Sequence, residues 1–228
     1  MSTETLILAL RLEGPMQSWG FDSQFNRRNT ALFPTKSALA GLCCAAMGLS
    51  RGSHEEKDAL EKIAASKLLC IDVPRRIKNK QIMVKRMQDY QTVMGTRDAK
   101  GKIKSDAVLT YRQYLNDANF LALLEGEKEF LLKLKSHLEN PTWGVWLGRK
   151  ACIPSAPVFA GTYLSEEEAV KVLLDGKPLE AFTHLREVDS FGSGIDSYMD
   201  QAISFDIYAR KFAPRRVILH EAKNTTAV

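Results

Sequence analysis

The chain has 228 residues, of which 45% are hydrophobic and 26% charged, and its net charge is +5 at pH 7. These proportions are ordinary for a globular protein, and the longest apolar run, 38–49, is too short to span a membrane. Since no basic leader precedes the first apolar stretch and the four cysteines lack metal-ligand spacing, we expect a reduced, cytoplasmic protein without metal or cofactor.

The first third of the chain predicts a strand, a loop, two helices and a second strand. The apolar run 5–12 ends at a Gly-Pro pair and favours a buried strand, and a polar loop follows over 16–33. A helix is predicted over 36–47, with Gly48 as its C-terminal cap. Ser53 and Glu56 form a capping box for a second helix that ends near Ser66, and 68–73 is predicted to be a strand.

Residues 75–112 concentrate positive charge. They hold eleven Lys and Arg against three Asp, a net charge of +8, so the other 190 residues sum to −3. Affinity for polyanions follows such local charge. A solvated, disordered charge run is the alternative, but Ile, Met, Val and Tyr residues interrupt the charges. The segment is therefore predicted to be a hairpin that leaves the core, turns at 98–101 and binds nucleic acid.

The second half predicts a strand near 120–124, a helix over 128–138 and a Trp-, Gly- and Arg-bearing loop over 141–157. A second capping box, Ser165 with Glu168, begins a short helix, and strands joined by a flexible segment at 189–200 follow. This order of elements favours an α+β fold with a ferredoxin-like βαββαβ body and an inserted hairpin.

Five stretches together resemble one family. They are residues 12–20 (LEGPMQSWG), 33–37 (FPTKS), 89–97 (DYQTVMGTR), 111–120 (YRQYLNDANF) and 147–154 (LGRKACIP). The pattern resembles the CasD family of CRISPR Cascade subunits, the type I-E branch of the RAMP proteins. The resemblance extends from residue 5 to about residue 161 and thins beyond it.

The resemblance implies a ferredoxin-like (RRM-like) body over 1–77 and 115–164 and a β-hairpin thumb over 78–114. The strand pattern of the tail predicts a β-rich C-terminal extension over 165–228, packed on the body. The resemblance also implies a subunit that caps a Cascade surveillance complex and binds the 5′ handle of the guide RNA (crRNA), with the thumb folded over the RNA. CasC-type backbone subunits and a CasA-type large subunit are the implied partners, and target DNA is met indirectly through the complex.

The predicted RNA contacts lie at a helix start, on loops and on the thumb. The N–H groups at the start of the first helix attract phosphate, although an ordinary N-cap beside a solvated lysine explains the same residues equally well. Arg112 and Tyr114 are two apart in a predicted strand and share a face. Trp143 and Trp146 are more typical of packing than of base stacking. The predicted RNA-binding residues are Gln17, Trp19, Arg27, Arg28, Thr35, Lys36, Ser37, Lys85, Arg86, Thr92, Met94, Arg97, Arg112, Tyr114, Arg149 and Lys150.

An enzymatic role is the alternative. Relatives in the type I-C branch cleave precursor crRNA without a metal, and that chemistry needs a general base and a cation beside the phosphorane. Tyr90, Tyr111 and several lysines are available, but the four histidines are scattered and no catalytic constellation is visible. We expect a protein that is not an enzyme, with a metal-independent endoribonuclease as the alternative.

Overall fold

The computed structural model describes residues 4–77, 80–98, 100–189 and 196–223. Its helices are α1 (Lys36–Met47), α2 (His54–Ala65), α3 (Lys128–Glu139) and α4 (Glu166–Leu173). Its strands are β1 (Thr5–Glu13), β2 (Met16–Gln17), β3 (Arg27–Arg28), β4 (Lys67–Asp72), β5 (Arg76–Ile77), β6 (Lys80–Gln81), β7 (Lys85–Val93), β8 (Val108–Asn116), β9 (Asn119–Glu127), β10 (Phe159–Tyr163), β11 (His184–Val188), β12 (Asp196–Ser204) and β13 (Lys211–His220). The predicted α+β class is confirmed. None of the described helices is long and apolar enough to cross a membrane.

The main sheet has the strand order β10-β1-β9-β4-β11-β13-β12, and all of its pairings are antiparallel. Both faces of its centre are buried. Leu8 and Leu10 of β1 join the core under α1, α2 and α3, whereas Ile7 and Ala9 join a second core with α4. Since successive side chains of a strand point to opposite faces, a strand covered on both faces is a continuous apolar run, which is what β1 shows.

Helix α1 lies where the sequence predicts it. Gly48 ends it with φ +70°, and the Gly48 N–H donates to the carbonyl oxygen of Ala45. A left-handed residue at this position favours glycine because it has no Cβ. The serine half of both predicted capping boxes is confirmed, since the Ser53 hydroxyl accepts from the Glu56 N–H and the Ser165 hydroxyl from the Glu168 N–H, each at 3.1 Å. The carboxylates of Glu56 and Glu168 accept from the N–H groups of Gly52 and Leu164, one residue before the serine.

A second, smaller sheet carries the basic segment. β7 and β8 form an antiparallel hairpin, and the opposite edge of β8 pairs with β2 and, in parallel, with β3. The prediction of a plain loop over 16–33 is therefore wrong, because this loop supplies two short strands to the hairpin. At the predicted turn, Asp98 Oδ1 accepts from the N–H groups of Lys100 and Lys102, both at 2.9 Å. Residues 78, 79 and 99 of the predicted thumb lie outside the described residues.

The C-terminal strands continue the main sheet. β11 pairs with β4, and β13 and β12 follow outward, so this part of the chain is hydrogen-bonded to the edge of the body sheet. The prediction of a flexible segment over 189–200 is wrong for 196–200, which begin β12. Residues 190–195 lie outside the described residues.

Candidate nucleic-acid interface

A row of cationic and aromatic side chains crosses the small sheet. Arg27 of β3 and Tyr90 of β7 lie in register on either side of Tyr111 in β8. The Arg27 guanidinium carbon is 5.0 Å from the centroid of the Tyr111 ring, and the Tyr111 and Tyr90 centroids are 5.3 Å apart. Tyr90 is 54% exposed and Arg27 is also exposed. The row therefore places an exposed ring, the half-buried ring of Tyr111 and a cation together, an arrangement suited to binding single-stranded nucleic acid.

The other face of this sheet carries a second group of arginines. Arg28 and Arg112 are register partners, and Arg149 lies over the ring of Tyr114 with its guanidinium carbon 4.8 Å from the centroid. Arg149 Nη2 also donates to the carbonyl oxygen of Arg28 at 2.9 Å. The predicted shared face of Arg112 and Tyr114 follows from strand alternation. Tyr114 as a base contact is wrong, however, because its ring is buried beneath Arg149.

A close approach of two backbones positions Arg149 and Lys150. Gly148 has φ +96°, and a Cβ there would lie 1.8 Å from the carbonyl oxygen of Ser18. The Ser18 N–H donates to the carbonyl oxygen of Leu147 at 3.0 Å. Glycine is required at position 148 for both reasons, and the 148–150 loop is held against the chain at Ser18.

Gln17 and Trp19 belong to the core. The Gln17 amide nitrogen donates to the carbonyl oxygens of Leu12 and Ala118, both at 2.7 Å, and the Trp19 indole donates to Gln17 Oε1 at 3.0 Å. Both side chains have 0% exposure. Their prediction as RNA contacts is wrong, because both side chains are buried and their polar atoms form hydrogen bonds within the protein. These hydrogen bonds connect the end of β1 to the loop before β9.

The start of α1 holds a carboxylate of the protein itself. Asp200 Oδ2 accepts the backbone N–H of Lys36 at 2.8 Å, in the place predicted for a phosphate. Lys36 Nζ donates to Glu187 and to the carbonyl oxygens of Ala64 and Ser66. Burial lowers the pKa of Lys36, while Glu187 opposes that shift. The Lys36 side chain is 1% exposed, so its prediction as an RNA contact is wrong.

Thr35 and Ser37 flank this carboxylate and line a cavity of about 740 Å³ along α1. Thr35 is buried, and its hydroxyl has no hydrogen-bond partner among the described residues. Ser37 is half-buried. Of the predicted helix-start contacts, Ser37 is thus the one whose side chain is partly accessible.

Two tryptophans and several cations also line this cavity. Trp143 is 47% exposed and Trp146 37%, so neither is the purely packed residue that the sequence favours. Arg51, Lys150 and Arg210 also line the cavity. Arg51 and Arg210 are not among the predicted residues, because they are far from Lys150 in sequence and only the fold brings the three together.

Comparisons with known proteins agree on one family. The family model described as CRISPR-associated protein (Cas_Cas5) matches residues 7–218. The chain is 32% identical over 176 residues to the CRISPR system Cascade subunit CasD of Escherichia coli (strain K12), a match that covers 75% of this chain and 77% of that protein.

The chain belongs to the Cas5 family of CRISPR-associated proteins.

Solved structures support the family assignment. A chain of a CRISPR RNA-guided surveillance complex matches the Cas5-family chain with a TM-score of 0.70 and 26% identity, over 96% of this chain and 92% of that one. A crystal structure of a Cas protein matches with a TM-score of 0.66 and 32% identity, over 95% and 94%. The family match reaches residue 218, so it includes the C-terminal strands in which the sequence resemblance thins.

The remaining predicted residues of this Cas5-family chain lie along the hairpin. Lys85 and Arg86 are exposed at the end nearest the body, opposite Asn116 and Leu115 of β8. Thr92, Met94 and Arg97 are exposed at the far end, although Arg97 Nη1 donates to the Gly101 carbonyl oxygen at 2.9 Å. Apart from the buried residues, the predicted contacts thus fall into four places, the small sheet, the α1 cavity and the two ends of the hairpin, and their binding to RNA stays a prediction.

Proposed function

We propose that this Cas5-family chain is the subunit of a type I CRISPR Cascade surveillance complex that binds the 5′ handle of the guide RNA. Through that complex it contributes to antiviral defence by RNA-guided DNA targeting. The printed names of its relatives, a Cascade subunit and a chain of an RNA-guided surveillance complex, support this proposal.

The observation that carries the proposal is the row formed by Arg27, Tyr111 and Tyr90. Every base has an aromatic face that stacks on a tyrosine ring, and a neighbouring guanidinium binds the phosphate of the same strand. Tyr90 and Tyr111 lie on the β7–β8 hairpin, within the segment 75–112 whose net charge is +8, and Arg27 lies on the strand paired with β8. Stacking surface and cationic charge on one exposed element favour a single RNA strand over a protein partner.

The α1 cavity is the second part of the proposed interface. Among its lining residues, Ser37 and Lys150 offer a hydroxyl and an ammonium, and Trp143 and Trp146 offer stacking surfaces. A cavity of about 740 Å³ is large enough for more than one side chain or base. We infer that it accepts nucleotides of the handle that leave the small sheet.

The architecture fits a ferredoxin-like body with a thumb. The order β10-β1-β9-β4, with α1 and α2 between β1 and β4 and with α3 between β9 and β10, is the order of a βαββαβ module. The β7–β8 hairpin is inserted between β4 and β9, where a thumb is proposed. CasC-type backbone and CasA-type large subunits as partners, and a cytoplasmic location, belong to the same proposal.

We also propose that the chain is not an enzyme. The contacts of Tyr90 and Tyr111, the two tyrosines available as general bases, support this proposal. The Tyr111 ring contacts Arg27 and Tyr90. This arrangement is that of a stacking surface, whereas a general base would be held in place by a third group. The metal-independent endoribonuclease remains the competing function.

The test uses the full-length protein with labelled repeat-derived RNA in EDTA. The proposed function predicts saturable binding and an intact RNA after prolonged incubation. Specific cleavage of the repeat would support the endoribonuclease instead of the proposed function. Failure to bind RNA, both alone and in the assembled complex, would refute the proposed function.

A further inference from the structure

A second cavity, of about 710 Å³, lies between the body and the beginning of the hairpin. Its walls come from the segment before α1, the end of β4, the start of β7 and the C-terminal end of β13. Phe33 and Phe120 supply aromatic surface, with ring centroids 5.5 Å apart, and Val84 and Leu115 add aliphatic surface. The cavity is thus lined mainly by apolar surface.

One carboxylate on this cavity has no partner. Asp72 Oδ1 is buried and forms no hydrogen bond within the described part of the chain, although the Asp72 backbone N–H donates to the carbonyl oxygen of Thr183. Burial raises the pKa of Asp72 to about 6, and the carboxylate forms no ion pair within the described part of the chain. An unpartnered buried acceptor is costly and points to a donor that arrives with a ligand.

The charged groups at the mouth of the cavity narrow the choice of ligand. Arg86, an exposed residue of the hairpin, lines the cavity, and so does the exposed Glu221. A guanidinium beside an apolar slot suits a nucleotide, because the cation meets the phosphate while the base enters the slot.

We propose that this cavity binds one base of the guide RNA through its Watson–Crick edge, with Asp72 as the acceptor that selects the base. This rests on the proposed function. Guanine fits best, since its N1–H and N2 amino groups lie side by side and can meet both oxygens of one carboxylate. Cytosine and adenine offer an amino group beside a ring acceptor, and uracil offers an N–H flanked by two carbonyl oxygens that a carboxylate repels.

The test measures affinity of the full-length protein at pH 7.5 for four RNAs: a twelve-nucleotide oligouridine, and the same oligomer with one central guanosine, inosine or N1-methylguanosine. The oligomer with guanosine should bind about ten- to hundredfold more tightly than oligouridine. This is the ratio of affinities expected for hydrogen bonds to a charged group. Inosine, which lacks the amino group, should keep part of this advantage, and N1-methylguanosine should lose it.

Two variants complete the test. Asp72→Asn should erase the guanosine advantage and leave the affinity for oligouridine within about twofold, since uracil forms no paired hydrogen bonds with this carboxylate. Glu221→Gln is the matched control, because it removes an exposed carboxylate from the same cavity, and it should keep the advantage.

Several outcomes would overturn the inference. One is an Asp72→Asn protein that discriminates as the wild type does, and another is a wild type that binds all four RNAs equally. An Asp72→Asn protein with unchanged base preference but impaired assembly would assign the cavity to a partner's cation and also overturn it. If the wild type binds none of the RNAs and no guide RNA, the proposed function itself fails, which is a separate result.

Discussion

Arg215 holds Asp200 through two hydrogen bonds, Nε to Oδ1 at 2.7 Å and Nη2 to Oδ2 at 3.0 Å, while Asp200 Oδ2 also accepts the backbone N–H of Lys36. Asp200 is 3% exposed and Arg215 5%. Glu187 completes the group by binding Lys36, with Oε2 lying 3.7 Å from Arg215 Nη1. The C-terminal strands are therefore joined to the start of α1, one wall of the proposed RNA cavity, by a buried network of four charges.

The first prediction concerns this network. Asp200→Ala should lower the free energy of unfolding by about 3–5 kcal/mol, because removal of one partner leaves a buried charge uncompensated. Asp200→Asn should cost less, since its amide oxygen still accepts a hydrogen bond. Urea unfolding followed by circular dichroism measures both.

Glu4→Gln is the control for that experiment, because Glu4 pairs with Lys128 at the surface, and it should leave the urea midpoint unchanged. The double variant Asp200→Leu with Arg215→Met should recover much of the lost stability, as apolar replacement of a buried pair commonly does. An Asp200→Ala protein with the wild-type midpoint would show that the network contributes little.

The second prediction is a pH dependence. The folded-state pKa of Asp72 is raised to about 6 from 3.8, so the folded protein binds its proton more tightly than the unfolded chain does. The contribution of Asp72 to the free energy of unfolding is highest below about pH 4 and decreases as the pH rises to 6. Above that pH the carboxylate is charged, and the full cost of burying its charge applies. Asp72→Asn should therefore gain stability over the wild type across pH 4 to 6 and keep a constant advantage above pH 7.

Urea midpoints of both proteins at pH 4.5, 5.5, 6.5 and 7.5 give the comparison. Asp106→Asn removes an exposed carboxylate and serves as the control, with a curve parallel to that of the wild type. Parallel curves for Asp72→Asn as well would contradict the raised pKa.

Local signals in the sequence predict the helices better than they predict the interface. The ends of α1 are specified by residues next to them, the Pro-Thr pair before it and Gly48 after it. The acceptor of the Lys36 N–H is 164 residues away, so a helix start that attracts anions in isolation is already occupied in the fold. The sequence does not predict strand β3 for a similar reason. Its two residues are assigned to a strand because they pair with β8, which is distant in sequence.

The motif residues show the same limit. Gln17 and Trp19 lie in a stretch that identifies the family, but family motifs contain core residues as well as contact residues, and these two bond to each other and to the core backbone. From the sequence alone, Tyr90 and Tyr111 are considered only as groups available for nuclease chemistry, together with several lysines. Their role as a surface row becomes visible only when the β7–β8 register places them opposite each other.

The third prediction is that the cations of the β7–β8 hairpin contribute affinity rather than base preference. A fourfold alanine variant should bind guide RNA about tenfold or more weakly at 0.1 M salt, and its log Kd should depend less steeply on log salt, by about 0.7 for each phosphate that is no longer neutralised. The residues replaced are Lys85, Arg86, Arg97 and Arg112. Fluorescence anisotropy across a salt series gives both quantities.

The matched control removes four exposed lysines from other surfaces of the body. They are Lys57, Lys133, Lys171 and Lys177. This variant carries the same change of net charge and should bind RNA nearly as the wild type does. Equal losses of affinity in the two variants would mean that overall charge, and no particular surface, determines binding.

The fourth prediction concerns stacking on Tyr90 and Tyr111. Alanine at both positions should weaken binding to a single-stranded guide RNA about five- to hundredfold, the range expected when one base no longer stacks. The salt dependence should not change, because no charge is removed.

Phenylalanine at both positions keeps the rings and should bind within about twofold of the wild type. Tyr208→Ala, at a tyrosine that is 93% exposed on a turn outside the small sheet, is the control and should have no effect. If the double alanine variant binds like the wild type while the hairpin cations remain necessary, RNA contacts the hairpin through its backbone charge alone, and the row of Arg27, Tyr111 and Tyr90 does not bind bases.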